Sequence, residues 1–472
     1  MSFISFDFAL LLAVCLALYA VLPRRGQNIV LLLASYVFYG FWDVRFLLLL
    51  WFSTIVDFVV SHRIQRAADA GDPRAKLRWL RVSLGTSLGI LGFFKYFGFF
   101  ASELQAVLER LGVHAELPVL HVILPVGISF YTFQSISYAI DVYFGRMRPA
   151  RSLLDFATFI AFFPQLVAGP IERARNMIPQ FENPRTVTLR GFREGLWLML
   201  IGYTRKVAIA DTAAYFSEPA FTDPAAHTSL ELICGLLLFA CQIYGDFAGY
   251  TDIARGTARL FGFELMRNFE YPYFARNVSE FWRRWHISLS TWLRDYLYVP
   301  LGGNRRGELR TQANLMITML LGGLWHGASW NFLIWGGLHG LYLCVHRSLR
   351  GVLGRVSGTV PFMPLLLAAA GTLVTFGLVT FTWLFFRSTS FEVTQVYLQG
   401  LARLDFGGAK ALIPVAVIAT MTLAIDLPQA FSGRELWLAH MPRLVRIPVA
   451  ALTVVLLMLA GDSGQPFIYF QF

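Results

Sequence analysis

The chain has 472 residues, of which 56% are hydrophobic and only 15% charged, and its formal net charge is +11. A typical soluble chain carries about 25% charged residues, so this composition argues against a soluble enzyme and favours a chain with many membrane spans of about 20 residues each. The positive charge does not indicate nucleic-acid binding, because the basic residues lie in short loops between apolar runs, which is the positive-inside pattern of membrane proteins.

The N-terminal segments predict how the chain is oriented in the membrane. The apolar run 6–23 precedes a basic pair that begins at Arg24, which is the reverse of the order in a cleavable signal peptide. We therefore expect an uncleaved first span with the N-terminus outside. The basic stretch 61–81 is expected in the cytosol and the acidic stretch 101–117 outside.

An apolar run at 152–170 interrupts this alternation. It lies between two basic stretches, 145–151 and 172–193, which are both predicted to be cytosolic. This arrangement predicts a re-entrant segment, which is tolerated where protein or a cavity satisfies its backbone. The alternative is an ordinary span whose flanking charges break the rule.

The second half continues with apolar runs and one long basic stretch, 254–310, which is predicted to be cytosolic. The fold class expected for the whole chain is an all-α polytopic membrane protein. It would have about twelve transmembrane helices together with re-entrant and interfacial helices. No separate soluble module is apparent, so residues 1–472 are predicted to form a single membrane domain.

The histidine most suited to chemistry is His326, within the apolar segment 318–340. An ionisable side chain at membrane depth is expensive to bury and is a functional candidate by default. The unperturbed pKa of histidine also allows acid–base work near neutral pH. The alternative is a histidine that only joins two helices by a hydrogen bond. For His339, in the same segment, packing is the preferred interpretation.

A second candidate is His286, in the segment 281–305, which mixes tryptophan and tyrosine with arginine. Such a composition is typical of a helix that lies in the membrane interface, so the alternative for this segment is a headgroup anchor. Two polar residues that follow an apolar run, Gln242 and Asp246, must be paired or line a wet cavity. No metal-ligand spacing is present, and no metal site is predicted.

Five motifs resemble one family, the membrane-bound O-acyltransferases, and within it the bacterial alginate O-acetyltransferase group. The motifs are LPVGISFYTFQ (124–134), FFPQLVAGPI (162–171), YGDFAGYTDIA (244–254), WLRDYLYVPLGGNR (292–305) and GLWHGASWNFLIWGGLHG (323–340). The ending GQPFIYFQF, 464–472, also fits this group.

The resemblance implies a shell of many helices around a tunnel that crosses the membrane, with His326 and His286 as the catalytic histidines. It implies a multi-pass protein of the bacterial inner membrane that uses acetyl-coenzyme A or another acyl thioester and no bound cofactor. The expected partners are membrane lipids, a donor on coenzyme A or a carrier protein, a periplasmic acetyltransferase and a polysaccharide acceptor. Further candidates for substrate or tunnel contacts are Trp325, Asn331, Gln242, Asp246, Arg283, Arg284 and Arg294.

Several alternatives remain open from the sequence. The basic residues of segment 276–310 suit the phosphates of a donor and equally suit anionic lipid headgroups. Many spans with intramembrane polar groups also fit a transporter or flippase for a polysaccharide or a lipid-linked sugar. His326 would act either as a general base or as an acyl-accepting nucleophile.

Overall fold

The structure is a computed structural model that describes residues 1–113, 123–356, 363–460 and 467–468. Two segments used in the sequence predictions lie partly outside the described residues. They are residues 114–117 of the acidic stretch and all of the C-terminal motif except Phe467 and Ile468. Every regular element in the described ranges is helical, as the predicted fold class requires.

Twenty α-helices are found in the described residues, and three π-helical and four 3-10 segments occur among them. The α-helices, α1 to α20 in order, are Phe6–Val21, Arg24–Gly40, Arg45–Asp69, Pro73–Leu91, Phe97–Arg110, Ile128–Tyr143, Leu153–Ala161, Phe163–Leu166, Ala174–Glu182, Leu189–Tyr203, Thr212–Thr222, Ser229–Leu260, Val278–Arg284, Ile287–Leu293, Glu308–His326, Trp330–Val356, Met363–Arg387, Phe391–Ala402, Leu412–Ser432 and Arg443–Ala460.

Several of these helices are long and apolar enough to cross a membrane. Within the part of the chain that the structure describes there are five: Arg45–Asp69, Pro73–Arg110, Ser229–Leu260, Leu365–Arg387 and Ala409–Ser432. The protein is therefore a multi-pass membrane protein. The finer count of about twelve spans stays a prediction.

The chain forms two compact units. One contains residues 1–196 and 254–266, and the other contains residues 197–253 and 267–472. Both predicted histidines belong to the second unit. The expectation of a single membrane domain stays a prediction.

In the first unit, the stretch 61–81 is not a loop. Helix α3 continues to Asp69 and α4 begins at Pro73, so most of the basic residues lie on helix ends. Arginine and lysine are good helix formers. The turn between the helices ends at Asp72, whose side chain accepts a hydrogen bond from the Ala75 amide at 2.9 Å and caps α4.

The apolar run 152–170 forms two short helices, α7 and α8, instead of one long helix. Helix α7 has nine residues and α8 has four, and all of them except Leu153 and Leu154 are buried. At 1.5 Å per residue, α7 is about 14 Å long, which is less than half of a hydrocarbon core of about 30 Å. This geometry supports the re-entrant interpretation over an ordinary span.

In the second unit, helices α15 and α16 form an antiparallel pair whose close contact depends on glycine. A Cβ atom on Gly323 would lie 2.2 Å from the backbone oxygen of Phe332, and one on Gly336 would lie 2.3 Å from the oxygen of Met319. Real Cβ atoms do not approach so closely, so the two backbones pack together only because both positions are glycine. This contact fixes the end of α15, where His326 lies.

Gly336→Ala is therefore expected to lower the stability of the protein by about 1–3 kcal/mol, the usual cost of overpacking. Gly337→Ala is the matched control, because its Cβ would meet only the Leu320 side chain, at 3.6 Å. Alanine is also the better helix former, so the control should melt at or above the wild-type temperature. Thermal unfolding in detergent measures both variants, and equal melting temperatures would contradict the proposed role of the glycine contact.

Candidate active site

The two histidines, far apart in sequence, lie side by side in the second unit. His326 is the last residue of α15, and His286 lies between α13 and α14. Their ring centroids are 6.5 Å apart. His286 is fully buried and His326 is 6% exposed, so the pair is shielded from bulk solvent.

The position of His286 depends on an unusual backbone conformation. Its φ of 41° and ψ of 55° lie in the left-handed region, which costs a non-glycine residue roughly 1–2 kcal/mol. Asn268 secures this turn from another segment: its backbone oxygen accepts from the Ile287 amide at 2.9 Å, and its Oδ1 accepts from the Ser288 amide at 3.1 Å. The turn thus breaks the basic segment into two helices of seven residues each.

Sequence reasoning missed Asn268. Its side-chain partner Ser288 lies 20 residues further along the chain, and no local pattern marks that contact. Segment 281–305 contains two short helices with a turn between them, and the second continues as a π-helix over Arg294–Tyr298. Its placement at the membrane interface stays a prediction. Trp285 and His286 in this turn are both buried, so these two residues do not contact headgroups.

Aromatic rings surround His326. The centroids of Trp325, Trp335 and Phe386 lie 4.9, 5.0 and 5.1 Å from that of His326. Trp325 was a sequence candidate, but Trp335 and Phe386 were not. Such walls exclude water, which strengthens the electrostatic interactions within the site.

The same kind of surroundings enclose His286. The ring of Phe247 meets it edge-on at 4.6 Å, and Trp325 lies 5.8 Å away. Burial lowers the pKa of His286 to about 3, because the apolar surroundings disfavour the charged form. Its imidazole is therefore neutral at pH 7, and a neutral imidazole can accept a proton or a hydrogen bond.

A basic cavity of about 640 Å³ lies against α13 and α14. Arg283 and Arg294, both predicted from sequence, line it together with His346 and Arg347. Arg284 does not belong to the lining, and its guanidinium donates to Glu280 at 2.6 Å. Thus the cavity contains some of the predicted arginines and adds two basic residues that the sequence did not single out.

Comparison with known proteins assigns the family. The model of MBOAT, the membrane-bound O-acyltransferase family, matches residues 148–357. A Pseudomonas putida protein named "Probable alginate O-acetylase" is 39% identical over 98% of both chains. The chain belongs to the membrane-bound O-acyltransferase family. This membership favours an enzyme over the transporter that the sequence left open.

More distant relatives of this acyltransferase carry different names. The peptidoglycan O-acetyltransferase of Helicobacter pylori is 38% identical over 79% of this chain and 73% of its own. The teichoic acid D-alanyltransferase of Bacillus subtilis is 27% identical over 47% of this chain and 58% of its own. The matched range 148–357 contains both histidines and the basic cavity.

Two other polar residues predicted from sequence, Gln242 and Asn331, form hydrogen bonds to separate segments of the chain. Gln242 Oε1 accepts from Ser217 Oγ at 2.9 Å. Asn331 Nδ2 donates to the backbone oxygens of Ser388 and Ser390, each at 3.1 Å. Both side chains are thus paired with other protein atoms, and a substrate role for the two residues stays a prediction.

Asp246 is part of a buried ionic group. One of its oxygens lies 2.9 Å from Lys206 Nζ, and the other accepts from the Ile468 amide at 2.6 Å. Lys206 also lies 2.7 Å from Asp211. Because a buried carboxylate needs an opposite charge, the contact with Lys206 accounts for the burial of Asp246, and a tunnel role for it stays a prediction.

Proposed function

We propose that the protein moves an acetyl group from a cytosolic thioester donor across the membrane for O-acetylation of an exopolysaccharide such as alginate. The observation that carries this proposal is the buried pair of His286 and His326 beside a basic cavity. The names of the relatives support the acceptor class, because two that match 98% of this chain are called probable alginate O-acetylases.

The chemistry requires a base and a site without water. The hydroxyl oxygen of the acceptor attacks the thioester carbonyl, so that a C–O bond forms and the C–S bond breaks. The hydroxyl proton must be taken up as the thiolate leaves. We propose that His326 takes this proton and that His286 assists at the donor side. The aromatic walls would keep water from hydrolysing the thioester.

The arrangement of charge supports a donor that enters from the cytosol. Coenzyme A is too large and too highly charged to cross a membrane. An acetyl group is small and uncharged, so it can be passed on through a tunnel. The basic cavity suits the phosphates of coenzyme A or of a carrier protein. We propose that it faces the cytosol of a cell whose inner membrane holds the protein, and that a periplasmic acetyltransferase passes the acetyl group to the polysaccharide.

Two measurements test the proposed function. Purified protein should release free thiol from acetyl-coenzyme A or acetylated carrier protein when an acceptor is present. Mass spectrometry should find acetyl groups on exopolysaccharide from cells that contain the protein and far fewer on that from cells that lack it. Equal acetylation in both strains would contradict the proposal.

Arg283→Gln and Arg294→Gln are each expected to raise the KM for the thioester donor by about threefold to tenfold. The reason is that each change removes one partly exposed charge-assisted hydrogen bond to the donor. The value of kcat should change little, because neither arginine belongs to the histidine pair. Arg305→Gln is the control: it removes an exposed charge from the same segment at a residue that is not part of the cavity lining. If Arg283→Gln and Arg294→Gln both keep the wild-type KM, as the control should, the two arginines are better interpreted as lipid anchors.

A further inference from the structure

A third buried histidine lies close to the site. His339, in the middle of α16, is fully buried. Its ring centroid lies 4.7 Å from that of Trp335 and 5.0 Å from that of Trp282, and the two tryptophan centroids are 5.8 Å apart. We call these three residues the His339 cluster.

The hydrogen bonds of Thr382 indicate which ring nitrogen of His339 carries the proton. Thr382 Oγ1 donates to the Val379 oxygen at 2.7 Å and lies 3.0 Å from His339 Nε2. Because a hydroxyl has one proton, and the shorter bond uses it, the hydroxyl oxygen accepts from His339 Nε2–H. The neutral imidazole then carries a lone pair on Nδ1.

The cluster holds three polar atoms whose hydrogen-bonding capacity is not used. His339 Nδ1, Trp282 Nε1 and Trp335 Nε1 are all buried and have no hydrogen-bond partner among the described residues. A buried polar group left in this way costs roughly 1–3 kcal/mol. Three such atoms on rings in mutual contact indicate a place where a ligand supplies the partners.

The location of the cluster links the cavity with the histidine pair. Trp282 lines the basic cavity together with Arg283 and Arg294. Trp335 packs edge-on against His326 at a centroid distance of 5.0 Å. A donor with its phosphate end in the cavity and its thioester at His326 would therefore run past the cluster.

The chemistry of the three atoms specifies the ligand group. One acceptor and two donors on aromatic walls match a secondary amide, which offers an N–H to the acceptor and a carbonyl oxygen to the donors. Coenzyme A and carrier proteins both present their acyl groups on a pantetheine arm, which contains such amides. We propose that His339 Nδ1, Trp282 Nε1 and Trp335 Nε1 bind an amide of this pantetheine arm and align the thioester with His326. This inference rests on the proposed acyltransfer.

The test compares donors with and without the amides. Wild-type protein should prefer acetyl-coenzyme A and acetylated carrier protein over the acetyl thioester of a simple alkyl thiol. Trp282→Phe and Trp335→Phe keep a ring but lose the indole N–H, and His339→Gln can keep the bond to Thr382 while losing Nδ1. Each change should lower kcat/KM for the amide-containing donors about threefold to tenfold more than it lowers kcat/KM for the alkyl thioester.

Controls separate this inference from simpler explanations. Trp437→Phe removes another buried indole N–H without a partner among the described residues, at a position outside the cluster, and should leave donor preference unchanged. If the cluster variants lose activity equally on all thioesters, the cluster is a packing element and the inference is wrong. Wild-type protein that transfers acetyl from no thioester would instead refute the proposed function. Loss with acetyl-coenzyme A only, or with acetylated carrier protein only, identifies which donor uses the site.

Discussion

His326→Gln is expected to lower the rate of acyl transfer by about 100- to 10,000-fold, the usual contribution of general acid–base catalysis. Glutamine keeps hydrogen-bonding capacity at the end of α15 but cannot take a proton at neutral pH. The ring lies among Trp325, Trp335 and Phe386, so the protein should still fold with a modest loss of packing. The measurement is the acetyl content of the exported polysaccharide, normalised to membrane-inserted protein.

His440→Gln is the matched control, because His440 is exposed and lies in a short 3-10 turn. It should retain wild-type acetylation. A packing role for His326 predicts a different result: about 1–2 kcal/mol of lost stability and a lower yield, with unchanged activity per folded molecule. That outcome, or wild-type acetylation by His326→Gln, would overturn the catalytic assignment.

The catalytic candidates could be predicted from sequence because their motifs are long and distinctive. His286 lies in a run rich in aromatic residues and arginine, His326 lies in a run rich in aromatic residues and glycine, and both runs resemble a single family. The helical class follows from hydrophobicity and length alone. The helix ends at Asp69 and Pro73 were harder to predict, because loop charge indicates the side of the membrane and not whether the basic residues are helical.

Other features of the site depend on contacts that sequence does not encode locally. Arg283 and Arg284 are adjacent, yet one lines the cavity and the other pairs with Glu280. Neighbouring residues on a helix point about 100° apart, so their roles depend on the orientation of a helix of only seven residues. The contact of Asn268 with the turn at His286 is also non-local, because it joins separate segments.

The conformation of His286 allows a substitution that separates chemistry from folding. Asparagine tolerates the left-handed region better than other non-glycine residues. His286→Asn should therefore keep the turn, including its bonds to Asn268, while it removes the imidazole. We expect a melting temperature close to that of wild type and a fall in acyl transfer of about 100-fold or more.

Two further variants test whether the left-handed conformation alone determines the effect of a substitution at His286. His286→Val should destabilise the protein by roughly 1–2 kcal/mol or more, because a β-branched residue fits the left-handed region poorly. Leu404→Asn places asparagine at another left-handed position, where φ is 55° and the side chain is 69% exposed, and should keep both stability and activity. If His286→Asn transfers acetyl groups at the wild-type rate per folded molecule, His286 serves the turn alone, and catalysis must be carried by His326 without it.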